Sequence, residues 1–250
     1  MRDDIRAETV SIPGHGDDQI EAYLAQPLDR DKVGSVVVIH HMPGYDDWSK
    51  EVTRTFAAHG YLAICPNLYS RDAPGASPDD AAAAARAKGG VPDQRLVGDV
   101  AGASAHLKSL PTSNGKVGVI GYCSGGRQSF LAAGSLPLDA AVVCYGAFIV
   151  GDPPEGMPLK VTPLLHLVPQ LHCPILGLFG AEDKFPSPEQ VAELERALED
   201  HGADFEFHSY PDAGHAFFSP DRPSFRHGAA QAGWEEIWEF YGRLLGSGGA

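Results

Sequence analysis

The sequence predicts an α/β fold in which a mostly parallel central sheet of about eight strands has helices on both faces. Segments with a strand pattern alternate with segments with a helix pattern along most of the chain. Several strand segments are continuous apolar runs, as is typical of parallel strands that are covered on both faces. No internal repeat or change of composition divides the 250 residues, so we expect one domain, 1–250.

The first elements predict an edge hairpin and the start of the parallel sheet. Ala7–Ile12 and Ile20–Ala25 alternate between apolar and polar residues on either side of a turn-rich segment, which indicates a hairpin. Ser35–His40 and Tyr61–Cys65 are apolar and predict the next strands. The remaining elements predicted up to residue 133 are a helix from Asp46 or Asp47 to His59, a loop through Pro78, helices at Ala81–Ala87 and Asp93–Leu110, a strand at Lys116–Ile120 and a helix at Ser124–Ala133.

The second half of the chain continues the alternation after one interruption. Asp139–Tyr145 and Pro174–Gly180 are apolar and predict two further strands. Between them, Gly151–Gln170 is rich in proline and irregular, and we expect it to cover the carboxyl edge of the sheet as an excursion or lid. The last predicted elements are a helix at Glu189–His201, a strand at Phe205–Tyr210, a closing helix at Pro223–Leu245 and a disordered tail, 246–250.

Charge and cysteine content exclude several classes of protein. The net charge is −14 and no Lys/Arg-rich run is present, which argues against binding of nucleic acid or of an anionic membrane. No signal peptide or transmembrane run is apparent, so we expect a cytoplasmic protein, either monomer or homodimer. None of the four cysteines has CxxC spacing, and we therefore expect reduced thiols without a disulfide framework or a metal site.

Cys123 lies in the segment with the most specific pattern. Gly121-Tyr122-Cys123-Ser124-Gly125 follows an apolar strand and opens a helix, as in a nucleophile elbow with cysteine at its centre. Glycines are needed around such a residue because its backbone is strained and the strand and helix approach closely. The positive end of the following helix favours a thiolate. The alternative is an ordinary glycine-rich turn with a buried cysteine.

Two further candidates follow later strands, in the order nucleophile, acid, histidine. Asp183 comes after the strand that ends at Gly180, and His215 comes after the strand that ends at Tyr210. In a catalytic triad, His215 would take the proton of the Cys123 thiol and Asp183 would orient the imidazole. The backbone N–H groups of Ser124 and Met42 are the candidates for an oxyanion hole. Glu182 is an alternative acid and Ser124 an alternative nucleophile.

These motifs resemble the dienelactone hydrolase family of the α/β-hydrolase superfamily. The similar stretches, from about Ser11 to the last helix, include Gly121–Gly126, Gly180–Asp183, Ala213–Phe217, Cys65–Tyr69 and Ser113–Gly118. The resemblance implies an α/β-hydrolase fold, a Cys–Asp–His triad, and hydrolysis of an ester or lactone as a carboxylic ester hydrolase. It implies no metal and no organic cofactor.

The chain departs from the family's pattern around the substrate. His41 stands where enzymes that act on dienelactone carry a glutamate that interacts with the nucleophile. An arginine expected shortly after His215 is missing, and Arg86 is a candidate for another substrate-binding arginine. We therefore expect an altered substrate pocket. His41 is predicted at the rim of the pocket, with a turn whose imidazoles hydrogen-bond locally as the alternative. The other residues predicted to line it, each equally consistent with plain packing, are Tyr45, Trp48, Tyr145 and Phe217.

Other hypotheses remain at this point. A binding or sensor protein for a small lactone, with little turnover, could use the same fold. A redox role for Cys123 is weakened because no resolving cysteine lies at short spacing. A metal site at His40 and His41 lacks a third ligand, and Arg127 is expected on the helix surface or in a buried ion pair.

Overall fold

The computed structural model describes residues 4–28 and 31–246, so the predicted tail, 246–250, lies outside it except for Gly246. Eight strands form one sheet. The strands are β1 (Ile5–Pro13), β2 (Gln19–Pro27), β3 (Val33–Ile39), β4 (Leu62–Pro66), β5 (Ser113–Tyr122), β6 (Ala140–Cys144), β7 (Ile175–Gly180) and β8 (Phe205–Tyr210). The helices are α1 (Asp47–Ala58), α2 (Pro78–Lys88), α3 (Asp93–Ser109), α4 (Ser124–Ala133), α5 (Pro188–His201) and α6 (His227–Leu245).

The sheet is mostly parallel, and the predicted fold class is confirmed. Its strand order is β1-β2-β4-β3-β5-β6-β7-β8. The β1–β2 hairpin is antiparallel and joins β4 antiparallel, whereas all pairs from β4 to β8 are parallel. The carboxyl ends of β3, β5, β6, β7 and β8 therefore meet at one edge of the sheet, which is where this architecture places ligands.

Hydrophobic cores cover both faces of the sheet. In β3, Val37 and Ile39 belong to one core and Val36 and Val38 to the other, because successive side chains point to opposite faces. Apolar residues of α2, α3, α4 and α5 pack on the first face, and those of α1 and α6 pack on the second. This double cover explains why the central strands are apolar throughout.

Helix boundaries follow local capping. The side chain of Asp46 accepts a hydrogen bond from the Ser49 N–H at 2.9 Å and caps α1, as the sequence suggested. The closing helix begins at His227 and not at the predicted Pro223. The segment before it turns instead, because the N–H groups of Phe225 and Arg226 bond to the carbonyls of Arg222 and Phe217.

The excursion between β6 and β7 is irregular, as predicted, apart from a short 3-10 helix at Leu165–Gln170. Among the helices of the described ranges, none combines the length and the apolar character needed to cross a membrane.

Gly121 provides a test of the strand-to-helix junction. A Cβ atom at Gly121 would lie 1.9 Å from the Gly125 carbonyl oxygen, which is backbone and has little freedom to move. We expect Gly121→Ala to lower the free energy of unfolding, measured in urea, by about 3 kcal/mol. Gly228→Ala is the matched control, because a Cβ there meets nothing within 4 Å, and it should leave stability unchanged or slightly raised. Equal effects of the two substitutions would contradict this account of the junction.

Candidate active site

Cys123 occupies the turn between β5 and α4 in a strained conformation. Its φ of 57° and ψ of −118° lie outside the regions that non-glycine residues ordinarily adopt. The Cys123 N–H donates to the Cys144 carbonyl at 3.1 Å, and the Cys123 carbonyl accepts from the Gly126 N–H at 3.0 Å. The side chain is only partly buried. The turn therefore has the backbone geometry that the elbow pattern predicts.

Asp183 and His215 lie together at the ends of β7 and β8. The His215 Nδ1 is 2.8 Å from the Asp183 Oδ2, and the Phe185 N–H donates to the other carboxylate oxygen at 2.9 Å. Asp183 is 5% exposed, so a buried carboxylate with both oxygens bonded fixes the imidazole. Glu182, the alternative acid, lines the neighbouring cavity, but its neighbour Asp183 makes the bond to the histidine.

The surroundings of His215 favour its charged form. Burial of the ring disfavours the imidazolium, but hydrogen bonds with Asp183 and Cys123, and the charges of both groups, outweigh this and raise the pKa of His215 to about 10. The imidazole thus lies between the carboxylate that orients it and the sulfur whose proton it can exchange. The structure brings the three predicted residues together.

Ser124 and Met42 both line the cavity into which Cys123 opens. Neither backbone N–H has a hydrogen-bond acceptor within the described part of the chain. The Met42 carbonyl has its own partner, because it accepts a hydrogen bond from the Tyr69 hydroxyl at 3.2 Å. Two free donors beside the nucleophile suit an oxyanion, and this role stays a prediction.

The cavity at Cys123 has a volume of about 460 Å³ and mainly apolar walls. Met157, Leu159 and Val161 come from the predicted excursion, which thus covers this edge of the sheet. Phe148 and Phe185, whose rings are 5.7 Å apart, complete the apolar wall. A cavity of this size suits a small organic molecule.

The five residues predicted for the pocket are not among its lining residues, and this expectation is corrected. Tyr145 and Phe217 are buried below the site, with the Tyr145 ring 5.2 Å from the rings of both His215 and Phe217. Tyr45 and Trp48 lie at the start of α1, each beside a separate cavity. The sequence signal for the observed wall is the set of apolar residues at 157, 159 and 161 within an otherwise proline-rich segment, and the prediction did not use it.

His41 faces the start of α1 and not the cavity. Its Nε2 is 2.6 Å from the Asp46 Oδ2, and its ring centroid is 4.8 Å from that of Trp48. Burial alone would raise the pKa of Asp46, but hydrogen bonds from His41 and Ser49 outweigh this and lower it to about 2. The contact between His41 and Asp46 therefore holds the loop that contains Met42 against the N-terminal cap of α1.

His40 is buried and has both ring nitrogens occupied. Its Nδ1 donates to the His41 carbonyl at 3.0 Å, and its Nε2 accepts from the Leu68 N–H at 3.2 Å. Burial lowers the pKa of His40 to about 4, so the ring is neutral and structural at ordinary pH. Over residues 4–28 and 31–246 no group of three or more His, Cys, Asp or Glu side chains is placed to hold a metal ion.

Two arginines lie in the wall of the cavity. Arg86 has no carboxylate partner in the described segments, and its Nη1 is 3.5 Å from the Met42 carbonyl. Arg127 is 3% exposed and pairs with Asp93 at 2.7 Å, which confirms the buried ion pair that the sequence left as one alternative.

The bond between Asp183 and His215 predicts a specific titration. We expect Asp183→Asn to lower the pKa of His215 toward its ordinary value of about 6.5, followed by NMR of the imidazole. Because the folded-state pKa is raised, the pair stabilises the fold fully below about pH 6.5 and loses this contribution as the pH rises toward 10. Glu182→Gln is the control and should leave the titration of His215 in place. An unchanged His215 titration in Asp183→Asn would contradict the assignment.

The pair formed by His41 and Asp46 predicts that a glutamate is not tolerated at position 41. His41→Glu would place two carboxylates where the His41 imidazole and the Asp46 carboxylate now share a 2.6 Å hydrogen bond. We expect a loss of about 2 kcal/mol in the free energy of unfolding, measured in urea at pH 7. Adding Asp46→Asn removes the repulsion while keeping a capping side chain, so the double variant should recover most of the loss. A fully stable single variant would show that His41 and Asp46 do not interact in this way.

Comparison with known proteins identifies a family for this chain. The model of the dienelactone hydrolase family matches residues 20–245. A Salmonella typhimurium protein provisionally named carboxymethylenebutenolidase is 34% identical, and the match covers 98% of this chain and 90% of that protein. The carboxymethylenebutenolidase of Pseudomonas putida is 29% identical, with 95% of this chain and 97% of that protein covered.

A solved structure supports the same relationship. The crystal structure of a provisionally named dienelactone hydrolase from Klebsiella pneumoniae matches with a TM-score of 0.84 and 28% identity. The match covers 96% of this chain and 99% of that one. By its sequence along almost its whole length and by its α/β-hydrolase fold, this chain belongs to the dienelactone hydrolase family.

Proposed function

We propose that this protein hydrolyses a small ester or lactone through an acyl-enzyme on Cys123. The observation that carries the proposal is the 2.8 Å bond between His215 and Asp183 beside a cysteine held in a strained turn. A nucleophile, a base and an orienting acid at the floor of one cavity are the requirements for acyl transfer. Membership of a hydrolase family supports the same reaction.

The first half of the reaction forms the thioester. His215 holds the proton of the Cys123 thiol as an imidazolium, and the thiolate sulfur attacks the carbonyl carbon of the substrate. The resulting oxyanion receives hydrogen bonds from the N–H groups of Ser124 and Met42. When the intermediate collapses, the C–O bond breaks and the leaving alkoxide takes the proton from His215.

The second half releases the acid. His215 accepts a proton from a water molecule as the oxygen of that water attacks the thioester carbonyl. Collapse breaks the C–S bond, and the sulfur leaves as a thiolate paired with the His215 imidazolium while the carboxylic acid is released. For a lactone the leaving alcohol remains attached to the acyl group, so one hydroxy acid is the product.

The cavity sets limits on the substrate. Its volume of about 460 Å³ and its walls of Phe148, Leu159 and Val161 suit a compact substrate with apolar groups. No residue of the proposed mechanism requires a metal ion or an organic cofactor.

Removal of the Cys123 thiol tests the proposal. We expect Cys123→Ala to lower kcat for p-nitrophenyl acetate by about a thousandfold or more, because the covalent route is lost. Cys173→Ala is the matched control: Cys173 is buried away from the cavity, so the variant should retain hydrolysis. Unchanged hydrolysis in Cys123→Ala would contradict the mechanism.

Tight lactone binding without turnover in the unaltered protein would favour a binding or sensor protein instead.

A further inference from the structure

Arg127 is a buried cation that the proposed reaction does not use. It lies on α4, four residues after Cys123, and is 3% exposed. Its Nη1 and Nη2 donate to the two carboxylate oxygens of Asp93 at 2.7 and 2.9 Å. Nη2 also donates to the carbonyl of Thr162 at 2.8 Å. One guanidinium thus joins three segments that are distant in sequence.

All three segments contribute to the wall of the cavity. The helix α4 supplies Ser124 and Gln128, and the connection before α3 supplies Val91. The excursion supplies Leu159 and Val161, on the amino-terminal side of the Thr162 carbonyl that Arg127 holds. Arg127 itself lines the cavity. The relative position of these walls therefore depends on a contact that Arg127 makes with each of them.

The excursion has few other backbone bonds to fix it. Before the short helix at Leu165–Gln170 it contains no helix or strand. Near the cavity, the Lys160 N–H donates to the Gly89 carbonyl at 2.9 Å, and the Leu164 N–H donates to the Ile149 carbonyl at 2.8 Å. Loss of Arg127 would leave the Asp93 carboxylate and the Thr162 carbonyl without their charged partner, which favours movement of this wall.

We infer that Arg127 is a positioning residue that fixes the apolar wall formed by Leu159 and Val161, and so sets which acyl chain lengths the enzyme accepts. Arg127 acts on the substrate through the excursion and not on the reacting bond. A long acyl chain contacts more of this wall than an acetyl group does, so selectivity between them reports its position. The inference rests on the proposed ester hydrolysis and deepens it.

The test compares p-nitrophenyl acetate with p-nitrophenyl octanoate in Arg127→Met. We expect the ratio of kcat/KM for octanoate to kcat/KM for acetate to fall about tenfold, mainly through a higher KM for octanoate. Arg127→Lys keeps the charge and should recover part of the loss for octanoate. An unaltered octanoate-to-acetate ratio in Arg127→Met would overturn the inference.

Arg71→Met is the matched control for loss of a buried pair. Arg71 donates to both carboxylate oxygens of Asp99 at 2.9 Å, and Asp99 is fully buried, but neither residue lines the catalytic cavity. This variant should lose stability without a change in the chain-length ratio. If Arg71→Met shifts the ratio as much as Arg127→Met does, the effect is general destabilisation and the inference is wrong.

Two further measurements keep the test decisive. If Arg127→Met does not fold, Asp93→Asn weakens the same contact and should shift the ratio in the same direction. Hydrogen exchange of residues 157–162 should become faster in Asp93→Asn, and unchanged exchange would overturn the inference. If the unaltered protein hydrolyses neither ester, the proposed function fails, whereas the exchange experiment still reports on Arg127.

Discussion

The close backbone packing at Cys123 is the constraint on which the rest of the site depends. The residue has a φ of 57°, and the turn persists because the carbonyl of Cys144 accepts its N–H at 3.1 Å. The junction also requires residues without side chains, because a Cβ at Gly125 would lie 2.6 Å from the Ile39 carbonyl oxygen. Sheet and helix can meet this closely only at glycine, and the contact lifts the thiol above the carboxyl edge.

The remaining site follows from what the sheet places beside that turn. Parallel pairing from β5 to β8 brings the ends of β7 and β8 to the same edge, where Asp183 binds His215. The loop after β3 is closed by His41 and Asp46 and presents Met42 to the cavity. The outer wall comes from an irregular segment that Arg127 holds in place. Short connections at the strand ends thus carry the candidate catalytic residues, while an irregular segment forms the outer wall of the cavity.

Features that depend on local pattern were predictable from the sequence. Apolar runs placed the strands, and the glycine-flanked Cys123 with Asp183 and His215 at later strand ends indicated the triad. Pocket walls depend on tertiary packing, so the aromatic character of Tyr145 and Phe217 could not show that both lie buried beneath the site. The partner of His41 likewise depends on the path of one loop, and the late start of α6 depends on turns around Arg222.

The most direct test of the account is the chemical identity of the covalent intermediate. The protein is quenched in acid during turnover of p-nitrophenyl acetate, digested, and mapped by mass spectrometry. The account predicts one acetyl group on Cys123, bound as a thioester that hydroxylamine removes at neutral pH. An acetyl group on Ser124, or turnover with no acetylated residue, would contradict it.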